Sequence, residues 1–268
     1  MTGNTIPYWH VDAFAGTPFA GNQAAVVVVD AWPDDRVMQA VAAENLFAES
    51  AFLLPSGSDA ADYELRWFTP ACEVALCGHA TLASGHAMLE GDEARESVTF
   101  ATRKSGMLEV RRDGAGGYEL ALPAIRVRDA VPEGMLAGLD REPEEALYDG
   151  RGYVIALYRD EATVRALDPD MAQLASHGDT MFICTARGTA SDVVSRVFVP
   201  GAGVPEDSVT GSAHAALTVY WADKLGRDRF TAHQASARGG DIACRIDGDR
   251  AVLGGHCVTV VEGRFRLP

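Results

Sequence analysis

The chain is short of positive charge, of paired cysteines and of long apolar runs, and each shortage removes a class of protein. Its 23 Lys and Arg stand against 38 Asp and Glu, for a formal net charge of −15. A field of that sign repels a polyanion, so no nucleic acid partner is expected. No stretch of the 268 residues approaches the roughly 18 uninterrupted apolar residues of a membrane span, so no membrane partner is expected either. The five cysteines, Cys72, Cys77, Cys184, Cys244 and Cys257, are odd in number, irregular in spacing and form no C-x-x-C pair. They read as reduced, mostly buried thiols rather than a disulfide framework. The N-terminal Met-Thr-Gly-Asn-Thr-Ile-Pro has no basic start leading into an apolar run, so the expected compartment is the cytoplasm. G-x-G-x-x-G and Walker-type phosphate loops are missing, as is a G-x-S-x-G nucleophile elbow. His79, His86 and His214 lack spacings of the H-E-x-x-H kind, so no metal is expected.

What is present is the profile of a globular protein, 47% hydrophobic and 23% charged, long enough for one large domain or two ordinary ones. The first half alternates strand and helix patterns. Strands are predicted over Tyr8 to Phe14, Ala24 to Val29, Ala51 to Leu54 and Tyr63 to Phe68, then as a meander at 97–101, 105–112 and 117–122. Helices are predicted after Pro33-Asp-Asp35 and over Ala80 to Leu89. The second half repeats the rhythm, with strands at Tyr153 to Tyr158, Met181 to Thr185 and Val193 to Val199. A helix over Gly211 to Leu225 is stopped by Gly226, and four strand-like runs follow from Phe230. An α+β protein of two similar lobes with a cleft between them follows. The predicted boundary lies at Pro123 to Arg128, giving lobes of 1–122 and 123–268, with the final strand returning to the first lobe as an option.

Two matched loops stand out, each opening a helix: Cys77-Gly-His-Ala-Thr81 and Thr210-Gly-Ser-Ala-His214. A helix N-terminus carries unpaired N–H groups and about half a positive charge. Gly78 and Gly211 would let backbone approach a ligand closely, so the pair reads as a clamp for a carboxylate. One such loop alone would read as ordinary helix capping by Ser or Thr. Glu206 and Asp207 precede the second helix, where its dipole stabilises them, and Asp207 could also hold a substrate amine or an imidazole. His79 lies at a helix start that disfavours positive charge, so a neutral imidazole is expected there, while His86 reads as packing. Glu49 lies among Phe47, Ala48, Ala51 and Phe52. Enclosure there would raise its pKa and fit it to take and return a proton near neutrality, whereas Glu44 reads as solvated surface.

Together these segments resemble the PhzF-like isomerase/epimerase family of the diaminopimelate-epimerase-like fold. The resemblance is carried by Val11-Asp-Ala-Phe14, Pro18-Phe-Ala-Gly-Asn22, Glu49-Ser-Ala-Phe52 and Arg66-Trp-Phe-Thr-Pro70. It continues in Glu73-Val-Ala-Leu-Cys-Gly-His-Ala-Thr81, Glu206 to His214, Tyr220-Trp-Ala and Gln234-Ala-Ser-Ala-Arg-Gly-Gly240. It implies two lobes, each a β-sheet wrapped around a central helix, with the active site between them. It implies catalytic roles for Glu49, His79 and Asp207, substrate binding by Gly78, Gly211, Ser212 and Asn22, no cofactor, and a homodimer. The reaction implied is a double-bond shift by one carboxylate that moves a proton in a small carboxylate-bearing, amino-acid-derived metabolite of secondary metabolism.

The sequence departs from the family pattern at Leu46-Phe-Ala48, where Asn-Leu-Ser is usual, at Ser208 in place of Pro, and at Gln23 in place of Pro. Related epimerases use two facing cysteines. Here Cys77 is matched by Thr210, and an alcohol is too weak an acid to replace a thiol. The alternatives to single-glutamate isomerisation are an amino-acid-type epimerase, with Cys77 or His79 opposing Glu49, and a non-catalytic small-molecule-binding protein on the same scaffold.

Overall fold

A computed structural model describes residues 5–267. The chain divides into two compact units: one runs to Ala121 and resumes at Gly254, and the other is Leu122–Leu253.

In the first unit β1 (Thr5–Ala13) pairs antiparallel with β2 (Asn22–Val28). Helix α1 (Asp35–Asn45) carries the chain over to β3 (Glu49–Pro55), which lies parallel to β2. A strand flanked by a parallel neighbour is covered on both faces, which fits the near-continuous burial of Ala24 to Val27. Strand β4 (Tyr63–Phe68) returns antiparallel to β3, and the short β5 (Glu73–Val74) doubles back on its end. Helix α2 (Gly78–Leu89) leads to β6 (Ser97–Thr102), parallel to β4, and a meander continues through β7 (Met107–Arg112) and β8 (Tyr118–Pro123). The last strand, Cys257–Arg266, runs antiparallel along β1.

Burial patterns explain how the helices sit in this unit. Helix α1 is amphipathic: Asp34 caps it by accepting from the N–H of Arg36 at 2.8 Å, and Met38, Val41 and Ala42 pack with Val27, Phe52 and Phe68. Helix α2 is buried all round and touches β1, β2, β3, β6, β7 and the last strand, so the sheet surrounds it. Gly85 is what lets α2 close on β7, since a Cβ there would stand 2.3 Å from Cγ1 of Val110.

In the second unit come β9 (Asp129–Ala130), β10 (Glu145–Tyr148), β11 (Tyr153–Leu157), α3 (Glu161–Arg165), α4 (Met171–Ala175), β12 (Met181–Arg187) and β13 (Val193–Val199). They are followed by β14 (Val204–Asp207), α5 (Gly211–Leu225), β15 (Arg229–Gln234), β16 (Gly240–Asp247) and β17 (Arg250–Gly255). Strands β10 and β11 pair antiparallel, β11 and β12 parallel, β12 and β13 antiparallel, β13 and β15 parallel, and β15 and β16 antiparallel. This is the order of pairings through β1, β2, β3, β4, β6 and β7, and β14 folds back on β13 as β5 does on β4. Helix α5 occupies its predicted span and ends at Gly226 with φ 65°, a left-handed stop that glycine adopts without strain. Five-residue helices such as α3 and α4, and the short β10 and β14, are too brief to show a period and went unpredicted.

Candidate active site

Each central helix begins behind an arginine–glutamate pair. Arg66 on β4 donates from Nε and Nη2 to Glu73 on β5, both at 2.8 Å, and its guanidinium lies 5.1 Å from the Phe68 ring. Arg196 on β13 donates the same way to Glu206 on β14, at 2.8 and 2.9 Å, and lies 4.9 Å from the Phe198 ring. Glu206 is therefore held chiefly by a guanidinium fork rather than by the helix dipole alone. Four residues beyond each glutamate the helix starts, at Cys77 and at Thr210. Neither residue caps its helix with its own side chain. Thr210 is of a capping type, but its hydroxyl is directed to Asp207.

At the first helix start Oε2 of Glu49 lies 3.2 Å from Nε2 of His79. Glu49 is the first residue of β3 rather than part of the link before it. Its side chain keeps 18% of its surface exposed, so the enclosure expected from its apolar neighbours is only partial. Oε2 itself is buried and completes no hydrogen bond of ordinary geometry. Glu44, by contrast, is exposed. On the other side of the His79 ring, Nδ2 of Asn22 is 3.2 Å from Nδ1, and Sγ of Cys77 is 3.6 Å from the same nitrogen. In a neutral ring the Asn22 amide donates to Nδ1 and leaves the ring proton on Nε2, facing Glu49. In the imidazolium both nitrogens donate, and Asn22 must turn its oxygen to the ring.

The charge state of His79 differs from the expected neutral imidazole. Burial works against the cation, but the Cys77 thiol group and the Glu49 carboxylate outweigh it and hold the His79 pKa well above the ordinary value. The dipole of a helix start acts over one turn, whereas a carboxylate at 3.2 Å is a full charge in contact. The Cys77 thiol moves the other way: burial first, then Glu49, push it up to about 11, so it stays protonated at neutral pH. Ligand-type atoms of Glu49, Cys77 and His79 all lie within 4.8 Å of one another. His86 is engaged elsewhere, with Tyr118 at 3.1 Å and Thr259 at 2.9 Å, as its packing role predicted.

A second group of side chains lies on β1, at the start of β2 and in the segment before β3. The His10 ring stacks on Phe47 with centroids 4.2 Å apart, and its Nε2 is 3.1 Å from Nε2 of Gln23 and 3.7 Å from Oδ1 of Asp12. The buried Asp12 accepts from the N–H of Phe19 at 2.7 Å. Phe19 (φ 71°) and Leu46 (φ 56°) hold left-handed conformations unusual for their residue types, and both side chains are exposed. The departures at Gln23, Leu46 and Phe47 thus lie in the strands and loops around Glu49. The contacts of His10 were not legible, since a lone histidine in an alternating strand carries no signal.

At the second helix start the groups are joined by hydrogen bonds. The Thr210 hydroxyl donates to Oδ2 of Asp207 at 2.6 Å. Gln234 accepts from the N–H of Thr210 at 2.8 Å and donates to the Asp207 carbonyl at 2.7 Å. The Ser208 carbonyl accepts from Ser236 at 2.7 Å. Nδ1–H of His214 donates to the Thr210 carbonyl at 2.8 Å. Burial holds the His214 pKa down to about 4, with His233 adding to the effect against the pull of that carbonyl. Gln234 and Ser236 were visible only as the opening of a segment, not as partners of Asp207. Of the predicted residues, Asn22, Glu49, Gly78 and His79 meet in the first unit, and Asp207, Gly211 and Ser212 lie in the second.

The profile of the PhzC-PhzF family, described as phenazine biosynthesis-like protein, matches residues 11–263. The chain belongs to that family. A Pseudomonas aeruginosa protein named as an uncharacterized isomerase is 43% identical over 266 residues, covering 98% of this chain and 99% of its own. The crystal structure of a PhzF-family protein from Enterococcus faecalis superposes with a TM-score of 0.89 at 38% identity, covering 98% of this chain and 100% of that one. A hydroxyproline epimerase from Agrobacterium vitis, at 14% identity and a TM-score of 0.61 over 98% of this chain and 93% of its own, shares the fold. The mixed, sheet-dominated PhzF and epimerase-like fold is therefore that of this chain, and its family membership and relatives make it an isomerase.

Proposed function

We propose that this isomerase moves a proton within a small carboxylate-bearing, amino-acid-derived metabolite, shifting a double bond, with Glu49 as the single acid/base and no cofactor. The observation that carries the reading is the Glu49 carboxylate, with one oxygen buried and without a hydrogen bond, in ion contact with His79. A carboxylate so placed is a base ready to accept a proton from carbon. His79, held by Asn22, orients it. The backbone N–H groups at Gly78, Gly211 and Ser212 serve the substrate carboxylate, supported by two helix starts that lack a side-chain cap. Asp207, bonded to Thr210, holds or relays a proton on the substrate's polar group. The family resemblance supports secondary metabolism, a cytoplasmic enzyme and a homodimer.

One observation favours a second reading. The Cys77 thiol stays protonated beside His79 and Glu49, so it is in the form that gives a proton rather than takes one. An epimerase with Glu49 as base and Cys77 as acid would use it. Incubation with small amino-acid-derived carboxylates in deuterated water separates the two. Deuterium entering with double-bond movement supports the isomerisation, and deuterium entering at a stereocentre alone supports epimerisation. Exchange that persists unchanged in Glu49→Gln would sink both.

A further inference from the structure

We propose that Glu49, Cys77 and His79 form a binding site for one thiophilic divalent cation, of the zinc class, and that the cation blocks the acid/base centre. The donor set is one thiolate, one imidazole and one carboxylate, all types that zinc takes. The spacing fits. Ligands at zinc bond lengths of about 2.0–2.3 Å occupy tetrahedron corners roughly 3.2–3.8 Å apart. Here Nε2 of His79 is 3.2 Å from Oε2 of Glu49 and 4.0 Å from Sγ of Cys77, and all three ligand atoms lie within 4.8 Å of one another. Oε2 of Glu49 is buried and completes no hydrogen bond, and the polar atom facing it at 3.2 Å is Nε2 of His79, itself one of the three ligands. Asn22 supplies the outer partner: with the metal on Nε2, the Nδ1–H of His79 donates to the Asn22 amide oxygen after the amide turns.

A thiolate and a carboxylate together offset the charge of a 2+ ion, and binding releases whatever protons the thiol and the imidazole ring carry beforehand. Binding requires no catalysis. The blocking consequence rests on the acid/base role proposed above for Glu49, whose lone pair the cation would occupy.

The test uses the whole chain, reduced and free of metal, titrated with cobalt(II) alone. Binding of one ion per chain is expected, with a thiolate-to-cobalt charge-transfer band that zinc(II) then displaces. Cys77→Ser should abolish the band, whereas Cys72→Ser, at an exposed thiol outside the cluster, should keep it. Asn22→Ala should weaken affinity about 10–100-fold, as loss of an outer partner does. Absence of a thiolate band, or a band that survives Cys77→Ser, overturns the proposal. Should Cys77→Ser fail to fold, Glu49→Gln decides: cobalt affinity must fall at least about tenfold, and an unchanged affinity overturns it. A band in a chain that exchanges no substrate hydrogen leaves the cation site standing and removes the acid/base reading. Exchange with no band does the reverse.

Discussion

Arg66 grips Glu73 ahead of α2, and Arg196 grips Glu206 ahead of α5, each with a two-pronged fork and a phenylalanine ring two residues on. The first turns of the two helices also agree. Thr81 bonds back to the Cys77 carbonyl at 2.5 Å, and His214, at the matching position, bonds back to the Thr210 carbonyl at 2.8 Å. On this shared frame the chemistry diverges. The first start carries a carboxylate, a thiol and a histidine with a raised pKa in mutual contact. The second carries the Asp207 carboxylate hydrogen-bonded to a threonine, a glutamine on the same threonine, and a histidine whose pKa burial lowers to about 4. The duplicated part is the frame that precedes a helix start, and the cluster of carboxylate, thiol and imidazole stands at the first of the two.

The sharpest way to break this comparison is at Glu49. Glu49→Gln keeps the shape and removes the proposed base, so substrate–solvent hydrogen exchange should fall by about 10²–10⁴-fold. Thr210→Val, at the second start, should cost less. Nuclear magnetic resonance of exchange in deuterated water measures both, and equal losses would mean that the acid/base work is shared.

The frame itself is tested by Arg66→Met and Arg196→Met. Arg66 is nearly fully buried and also pairs with Asp35, so its loss leaves Glu73 only its contact with Arg103 at 3.2 Å and should destabilise folding by up to about 3–5 kcal/mol in urea unfolding. Arg196 is more exposed, and its loss should cost less. The reverse order would show that the second pair carries more of the fold than its exposure indicates.

The histidines of the two starts should respond to acid in opposite senses. His214 has a folded-state pKa of about 4 against an ordinary 6.5. As pH falls below 6.5 the unfolded chain takes up a proton that the folded chain refuses, so stability drops until pH passes about 4. The full loss is on the order of 3 kcal/mol. His214→Thr, which supplies the bond that Thr81 makes, should flatten that limb in thermal unfolding followed between pH 7 and pH 4. His79 has a raised folded-state pKa, so its contribution is complete below 6.5 and is lost only as pH rises through the higher value.

The smallest effect contrasts two helix ends. Helix α5 stops at Gly226 with φ 65°, and α1 stops at Leu46 with φ 56°. Leu46→Gly should relieve left-handed strain and raise stability by roughly 0.5–1 kcal/mol, measured as a shift in urea midpoint. Destabilisation instead would mean that the exposed Leu46 side chain makes a contact the folded chain needs.

Much of this was legible in the chain. The buried β2, the meander of β6 to β8, β13 and the 15-residue α5 were all readable, because long apolar or alternating runs encode burial directly. Glu49 was singled out from its apolar neighbours, and His79 and Asp207 from the segments that open the two helices. The repeat of an arginine, then a phenylalanine two residues on, then a glutamate four residues before each start was hidden, because its spacing from arginine to glutamate differs between the halves. His10 and Gln234 were hidden because their partners are distant in sequence.

By itself the sequence determined the longer elements, the negative net charge and the residue types at the two helix starts, since these depend on local pattern and composition. Only the tertiary structure decided the protonation of the histidines. A neutral ring was expected for His79 from its helix start, yet it meets a carboxylate at 3.2 Å, while His214 meets a carbonyl and is shut away from water. Charge in a buried place is set by what touches it, and those contacts join strands and helices that lie far apart along the chain.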